Sequence, residues 1–261
     1  MDKLSTIIIT YNEEQKIAAT IDAAWKVSDE IIVVDSGSTD RTKEICIEKG
    51  VTFITQEWLG FGKQRNLAVT KASNDYILAL DADEVLDERL IGSIIQVKKR
   101  GFSQQLYSFK RLNSYYGKFI KHGMGNPDIK LRLYHKSFAK WNNKLVHEDL
   151  EFRSSLKIIQ LKGYLLHYTT GSISDHIIKA NRYNDLGALQ YFNQGKKASG
   201  ITKLILNPTF IFIKSYFFKA GFLDGWHGFI LAKLHAGIAF QKYAKLKILY
   251  YEAKIKTRTH K

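Results

Sequence analysis

The sequence contains a single cysteine, Cys46, among its 261 residues. One thiol cannot form an intramolecular disulfide, and it has no second cysteine with which to build a zinc site of the C-x-x-C type. The first residues, MDKLSTIIITYNEE, are unlike a signal peptide, because the apolar run is short and is followed by acidic residues. We therefore expect a protein that works in a reducing cytoplasm.

Long apolar runs and the common glycine-rich nucleotide loops are also missing. No segment reaches the roughly 18 apolar residues of a membrane-spanning helix; LILNPTFIFI at 204–213 comes closest and is too short. No G-x-G-x-x-G follows the first apolar run, and GFGKQ at 60–64 has neither the spacing nor the Ser or Thr of a P-loop. We predict no spanning helix, and neither a dinucleotide-binding nor a P-loop site.

Acidic residues are scarce relative to basic ones. The chain has 40 Lys and Arg against 25 Asp and Glu, which gives a formal charge of +15 and a pI near 9.6. Such a balance indicates an anionic partner, which could be nucleic acid, a phosphate-bearing substrate or an anionic membrane. Residues 196–261 hold 13 Lys and Arg against two acidic residues, so that this segment carries +11 of the total.

Short apolar runs alternate with helical periodicity through the first hundred residues. The predicted strands are 5–10, 30–35, 51–55 and 76–81, and the predicted helices are 13–26, 40–49 and 63–71. This order, with strands that are apolar almost throughout, predicts a parallel sheet covered by helices on both faces. Ligands of such sheets bind beyond the carboxyl ends of the strands, so the residues that follow each strand are the candidate site.

Three of these strand ends carry polar or acidic side chains: 10–13 (TYNE), 35–40 (DSGSTD) and 81–84 (DADE). Carboxylates as close as Asp81 and Asp83 repel each other unless a cation or several donors lie between them. A D-x-D pair at a strand end can hold a divalent cation and leave positions open for diphosphate oxygens. The alternative is a solvated loop in which Glu84 and Asp87 favour the start of the next helix.

Beyond residue 171 the composition changes. Residues 172–195 suggest an amphipathic helix, and 201–255 combine aromatic and aliphatic residues with regularly placed lysines. This pattern suits a surface that lies in a membrane interface, although a helical cap with a solvated basic face is the alternative. We predict two domains, 1–170 for the α/β part and 171–261 for a basic, aromatic-rich helical extension.

Five segments, in this order and spacing, closely resemble the inverting family 2 glycosyltransferases of the GT-A fold: IIITYNEE, IIVVDSGSTDRT, GFGKQRN, LALDADE and LVHEDL. Two later segments, GYLLHYTTGSISDHIIKANRYN and GFLDGWHGF, are similar to bacterial lipopolysaccharide core β-1,4-glucosyltransferases. The resemblance implies a Rossmann-like, mostly parallel GT-A domain, a nucleotide-sugar donor, a Mg²⁺ or Mn²⁺ ion and an acceptor at the membrane surface.

The same resemblance assigns roles to individual residues. It implies that Asp83 holds the metal with help from Asp81. His167 follows an apolar run and is a further candidate for contact with the metal or the diphosphate, with a structural histidine as the alternative. Ser36 stands where many relatives have a second Asp after Asp35, which leaves open which nucleobase the donor carries. The residues that match the nucleotide-sugar pocket are Thr10, Tyr11, Asn12, Glu13, Asp35, Lys63, Arg65, Asn66 and Asp81.

An inverting transfer needs a base that takes the proton from the acceptor hydroxyl as it attacks the anomeric carbon. Glu148 in LVHEDL matches the family's position for this base, and its neighbour Asp149 is the alternative. Arg132 is a candidate for steadying a phosphate or the acceptor.

We therefore expect a glycosyltransferase that moves glucose from UDP-glucose to a lipid-linked bacterial glycan, such as lipopolysaccharide core, at the inner face of the cell membrane. The competing hypothesis is a non-enzymatic basic protein that binds nucleic acid or anionic lipid. A nucleic-acid binder would place its basic residues beside exposed aromatics without an acidic crevice. Because the predicted crevice is acidic and the basic excess lies elsewhere, we expect no nucleic-acid partner.

Overall fold

The computed structural model describes residues 2–103, 105–142, 149–170, 172–196, 200 and 202–259. Contacts between residues divide the chain into two compact units. The first contains the described residues of 1–113 and 128–168, and the second contains those of 114–127 and 169–261. The second unit thus includes a segment from the middle of the sequence. The boundary at residue 170 stays a prediction.

The first four strands form the parallel part of the main sheet. They lie in the order β3, β2, β1, β4, and every residue of β1 is buried. A strand buried on both faces needs an uninterrupted apolar run, which explains the composition of these segments. Their bounds are β1 (Leu4–Thr10), β2 (Glu30–Asp35), β3 (Thr52–Thr55) and β4 (Tyr76–Asp81).

Four helices pack in the first unit, and the apolar residues form two core clusters. They are α1 (Ile17–Trp25), α2 (Thr42–Glu48), α3 (Phe61–Lys71) and α4 (Glu88–Arg100). Helix α1 begins four residues later than predicted, because Asn12 has a φ of 53° and the Glu13 N–H donates to Thr42 Oγ1 at 2.9 Å. Asp87 caps α4 by accepting from the Leu90 N–H at 2.7 Å, which agrees with this part of the alternative interpretation of the 81–87 loop.

The sheet continues beyond β4 with mainly antiparallel pairs, in the order β4, β8, β6, β11, β5, and β7 pairs with β6. Strands β9 and β10 form a separate antiparallel pair. The bounds are β5 (Glu84–Leu86), β6 (Leu106–Tyr115), β7 (Lys118–Phe119), β8 (Asp128–His135), β9 (Ala139–Trp141), β10 (Leu150–Phe152) and β11 (Ile158–Thr170). The sheet is therefore mixed, and its parallel half is the part that the sequence predicts strand by strand.

Beyond residue 171 the second unit is helical, as predicted. Ser172 caps the first of its helices by accepting from the Asp175 N–H at 3.0 Å. The helices are α5 (Ile173–Asn193), α6 (Asn207–Ile213) and α7 (Trp226–Thr259), with π-helical turns at Thr202–Leu206 and Lys214–Phe218 and a 3₁₀ turn at Gly221–Asp224. In the part of the chain that the structure describes, none of the helices is long and apolar enough to cross a membrane.

Candidate active site

The ends of β1, β2 and β4 lie side by side at one edge of the sheet. Thr10 pairs with Asp35 in the β1–β2 register, and Ile9 pairs with Asp81 in the β1–β4 register. The loops after β1 and β2 are joined by Asn12, whose N–H donates to Ser38 Oγ and whose Oδ1 accepts from the Thr39 N–H, both at 2.8 Å. The three polar strand ends therefore converge, as the alternation of strands and helices predicts.

Three other residues of the first loop differ in exposure. Tyr11 is exposed, whereas Thr10 is buried. Glu13 pairs with Lys16 at 3.1 Å. Burial raises the pKa of the Glu13 carboxyl, and the charge of Asp83 adds to this effect, while Lys16 opposes it. The Glu13 carboxyl therefore interacts electrostatically with Asp83.

Asp35 is buried and holds the loop that follows it. Its carboxylate accepts from the N–H groups of Gly37 at 2.9 Å and Ser38 at 2.8 Å, and also from the Ser38 hydroxyl. The next residue, Ser36, accepts from the Gln64 side chain at 3.3 Å. Both carboxylate oxygens of Asp35 are therefore engaged within its own loop, and its contact with the donor stays a prediction.

Asp81 lies between two buried guanidinium groups. Arg65 donates to its Oδ1 at 2.5 Å and Arg132 donates to its Oδ2 at 3.0 Å. Burial would raise the pKa of the Asp81 carboxyl, but the two positive charges outweigh it and hold the pKa well below its usual range. The carboxylate stays ionised, and each of its oxygens faces an arginine rather than an open metal position.

Arg132 belongs to a larger network that contains Glu84. Glu84 is fully buried and accepts from Arg132 at 2.6 Å and from Arg111 at 3.0 Å. Burial would lower the pKa of Arg132, but Glu84 and Asp81 raise it above its usual value. The Arg132 side chain is only 5 % exposed and binds the two carboxylates; its role in steadying a phosphate or the acceptor stays a prediction.

Asp83 meets His167 next to this network. Antiparallel pairing of β5 with β11 places His167 opposite Glu84, one residue from Asp83. The His167 Nε2 lies 3.3 Å from Asp83 Oδ2, and both side chains are partly exposed. The pairing of two strands that are far apart in sequence thus brings Asp83 and the additional candidate ligand His167 together.

Asn113 determines which nitrogen of His167 carries the proton. The Asn113 Nδ2 donates to Asp128 at 3.3 Å, which leaves its Oδ1 to face His167 Nδ1 at 2.7 Å. An amide oxygen only accepts, so Nδ1 must carry the proton. In the neutral imidazole, the lone pair of Nε2 then points towards Asp83.

Helix α3 positions the segment that precedes the predicted base. The Asn66 side chain donates to the Trp141 carbonyl at 2.8 Å and accepts from the Trp141 N–H at 3.1 Å. A Cβ on Gly62 would lie 1.8 Å from the Asn142 carbonyl oxygen, so only glycine allows this close approach. Lys63, in contrast, is exposed. Asn66 therefore holds β9, and its predicted donor contact remains untested.

Glu148 lies outside the described residues, while Asp149 lies just inside them. Asn142 and Asp149 flank the intervening segment and are bonded to each other, with the Asn142 N–H donating to the Asp149 carbonyl at 3.0 Å and Asn142 Oδ1 accepting from the Asp149 N–H at 3.2 Å. The two ends of the segment that carries Glu148 are thus fixed close together beside α3.

Sequence reasoning places Glu84 at the site but misses its arginine partners, and it misses Arg111, Asn113 and Asp128 as members of this site. One signal is available for Arg132, which lies between two leucines in a strand, because a charge in an apolar run needs a buried partner. The sequence does not indicate which carboxylate this partner is.

A comparison with protein families matches residues 5–152 to the model of glycosyl transferase family 2. The chain belongs to this family. A family 2 relative, an uncharacterised glycosyltransferase of Rickettsia typhi, is 34 % identical over 258 residues, which are 95 % of this chain and 88 % of that one. The lipopolysaccharide core biosynthesis glycosyltransferase LpsC of Rhizobium meliloti is 29 % identical over 253 residues, 93 % of this chain and 91 % of that one.

Two solved structures are also similar to this family 2 chain, over part of its length. Glucosyl-3-phosphoglycerate synthase of Mycobacterium tuberculosis, solved with Mn²⁺, UDP and glucosyl-3-phosphoglycerate, is 24 % identical over 43 % of this chain and 44 % of that one, with a TM-score of 0.37. TarS of S. aureus is 18 % identical over 73 % of this chain and 40 % of that one, with a TM-score of 0.44. The predicted α/β fold class of GT-A type is confirmed by family membership and by the sheet.

Proposed function

We propose that this glycosyltransferase moves glucose, with inversion, from UDP-glucose to a lipid-linked bacterial glycan such as lipopolysaccharide core, at the inner face of the cell membrane. Similarity to the lipopolysaccharide core biosynthesis glycosyltransferase of Rhizobium meliloti supports the class of acceptor. The observation that carries the proposal is that Asp83 and His167 lie next to each other, while Arg65 and Arg132 neutralise the nearby Asp81. One side-chain pair is thereby available for a cation, while the other carboxylate is already paired.

Asp83 and His167 fit Mg²⁺ or Mn²⁺ as ligands. A carboxylate oxygen and an imidazole lone pair 3.3 Å apart are both acceptors, and they repel each other unless a cation or a proton lies between them. Asn113 fixes the proton on the other nitrogen, as is usual for metal-binding histidines. When bound, the ion would neutralise charge on the diphosphate leaving group.

Two protein ligands leave several coordination positions for the donor. Among the described residues, no group of three or more His, Cys, Asp or Glu side chains could hold a metal. Oxygens of the diphosphate and water would therefore complete the shell, as is common for Mg²⁺. A coordination shell with unfilled positions suits a site in which the cation and the nucleotide sugar bind together.

Two arginines neutralise the second carboxylate of the crevice, Asp81. Arg65 and Arg132 neutralise Asp81, so that this carboxylate does not repel the incoming diphosphate. Because both arginines are buried, neither has to reorganise when the donor binds. We assign Asp81 to this supporting role and Asp83 to the metal.

Replacing Glu148 with Gln should slow transfer by roughly 10²–10⁴-fold with donor affinity kept, since the amide cannot accept the acceptor's proton. Initial rates and donor binding by calorimetry would check this result. Asp149→Asn is the matched control, because it removes the neighbouring carboxylate. An active Glu148→Gln together with an inactive Asp149→Asn would move the base to Asp149.

The proposed donor and cation can be tested without knowing the acceptor. The purified protein should slowly hydrolyse UDP-glucose in the presence of Mn²⁺ or Mg²⁺, and much less so other nucleotide sugars of a panel. Release of UDP, followed by chromatography, should stop when EDTA removes the cation. A rate that is equal with and without EDTA, or a clear preference for another nucleotide sugar, would contradict the proposal.

A further inference from the structure

Large apolar side chains lie on the surface of the second unit between residues 206 and 229. We call this set the aromatic patch; its members are 38–77 % exposed and comprise Leu206, Phe210, Ile213, Phe217, Phe218, Phe222, Leu223, Trp226 and Phe229. Tyr216 connects part of it, because its ring contacts those of Phe217, Phe222 and Phe229 at centroid distances of 5.2, 6.3 and 5.6 Å. An exposed apolar surface of this kind indicates an interaction site.

Basic residues predominate in the part of the sequence that carries and follows the aromatic patch. Residues 202–251 include seven lysines and one acidic residue, Asp224, which is buried. Lys214 lies over the ring of Phe210 at 6.0 Å, and Lys233 lies 4.7 Å from the centroid of Phe212. Lysines that lay their stems along aromatic rings can keep their ammonium groups at the level of lipid head groups.

We infer that the aromatic patch inserts into the head-group region of an anionic membrane. The exposed phenylalanine and tryptophan side chains would enter the acyl boundary of the membrane, and the ammonium groups of the neighbouring lysines would contact lipid phosphates. The acidic residue of the patch segment, Asp224, is buried and does not face these phosphates. This inference rests on the proposed function and deepens it, because it places the contact with the membrane in one part of the basic extension.

The patch is joined to a loop within the same unit, residues 120–127. The Asp224 carboxylate accepts from the N–H groups of Lys121 at 3.1 Å and His122 at 2.8 Å. The Lys219 carbonyl accepts from the Gly123 N–H at 2.8 Å, and Ser215 Oγ accepts from the Met124 N–H at 3.1 Å. Four hydrogen bonds thus tie the loop to the segment that inserts, so that membrane docking also holds the loop close to the lipid.

A fluorescent probe at one patch residue can report insertion. The chain's own thiol, Cys46, is fully buried and burial raises its pKa to about 12, so a maleimide dye should label only an introduced cysteine. We propose Phe218→Cys for the patch, Ile178→Cys on α5 as a control with similar exposure, and Ile47→Cys as a control in the first unit.

With an environment-sensitive dye, vesicles of phosphatidylcholine and phosphatidylglycerol should shift the emission at position 218 to the blue and leave positions 178 and 47 unchanged. Pure phosphatidylcholine vesicles or high salt should weaken this shift, because the lysines contribute through screened charges. No shift at position 218, or an equal shift at position 178, would overturn the inference.

A second test uses unlabelled protein. The double substitution Phe217→Ser and Phe218→Ser should weaken co-sedimentation with anionic vesicles by about tenfold or more, since two phenyl rings no longer enter the apolar phase. The matched pair Ile177→Ser and Ile178→Ser, which are also exposed, should have little effect. Equal losses from both pairs would overturn the inference.

Self-association is the competing explanation for the patch. Sedimentation velocity at rising protein concentration without vesicles should show no oligomer that the patch substitutions remove; such an oligomer would mean that a second copy covers the patch. Hydrolysis of UDP-glucose without vesicles should be the same in the patch variants and the natural protein. A protein that binds vesicles through the patch but lacks this hydrolysis would contradict the proposed function and not the inference.

Discussion

Replacing Asp83 with Asn is expected to lower metal-dependent transfer by roughly 10²–10³-fold, because the variant loses the carboxylate that we propose as the anionic ligand of the cation on the diphosphate. The substitution keeps the size of the side chain and lies at a partly exposed strand end, so the fold should persist. Calorimetry should show that Mn²⁺ strengthens UDP binding to the natural protein and not to Asp83→Asn.

Asp22→Asn is the control for this experiment. Asp22 is an exposed carboxylate on α1 that pairs with Lys49 at 2.7 Å, so its neutralisation changes net charge equally without touching the crevice. Transfer by Asp22→Asn should match that of the natural protein. If Asp83→Asn kept full metal-dependent transfer, or if Asp22→Asn lost as much activity, Asp83 would not be the metal ligand.

Replacing Glu84 with Gln should decrease the free energy of unfolding by about 3 kcal/mol or more. Glu84 has no exposed surface and accepts from both Arg111 and Arg132. The neutral amide leaves their charges in a buried place with less compensation, which costs far more than the loss of an exposed ion pair. Urea denaturation followed by circular dichroism would measure the change.

Glu88 provides a matched control four residues away. It also forms an ion pair, with Lys26 at 2.5 Å, but its side chain is 81 % exposed. An exposed pair contributes about 0–1 kcal/mol, so Glu88→Gln should be nearly neutral. Similar small losses in both variants would mean that the Glu84 network does not stabilise the fold.

The parallel half of the sheet could be predicted because its strands are local apolar runs that end in polar residues. Ile7 to Ile9 and Ile31 to Val34 are buried as their sequence indicates. The start of helix α1 was predicted four residues too early. Asn12 and Glu13, at the start of the predicted α1, instead join two loops, and that role depends on Ser38 and Thr42, which lie 26 and 29 residues further along the chain.

The candidate site could be predicted in part. D-x-D and the strand order point to Asp81 and Asp83, but only the folded chain separates their surroundings, with arginines on Asp81 and an imidazole beside Asp83. These partners come from α3, β8 and β11. Their proximity depends on the pairing of strands that are far apart in the sequence, which no local sequence pattern predicts.

The register of β11 has a consequence for how the length of this strand can vary. Leu165 and His167 point to the same face, opposite Leu86 and Glu84 respectively, while Leu166 points to the other. One residue inserted between Leu165 and Leu166 would turn the imidazole to the opposite face and leave Leu166 beside Asp83. An insertion or deletion at this point of β11 would therefore separate the two proposed metal ligands even if the strand still formed.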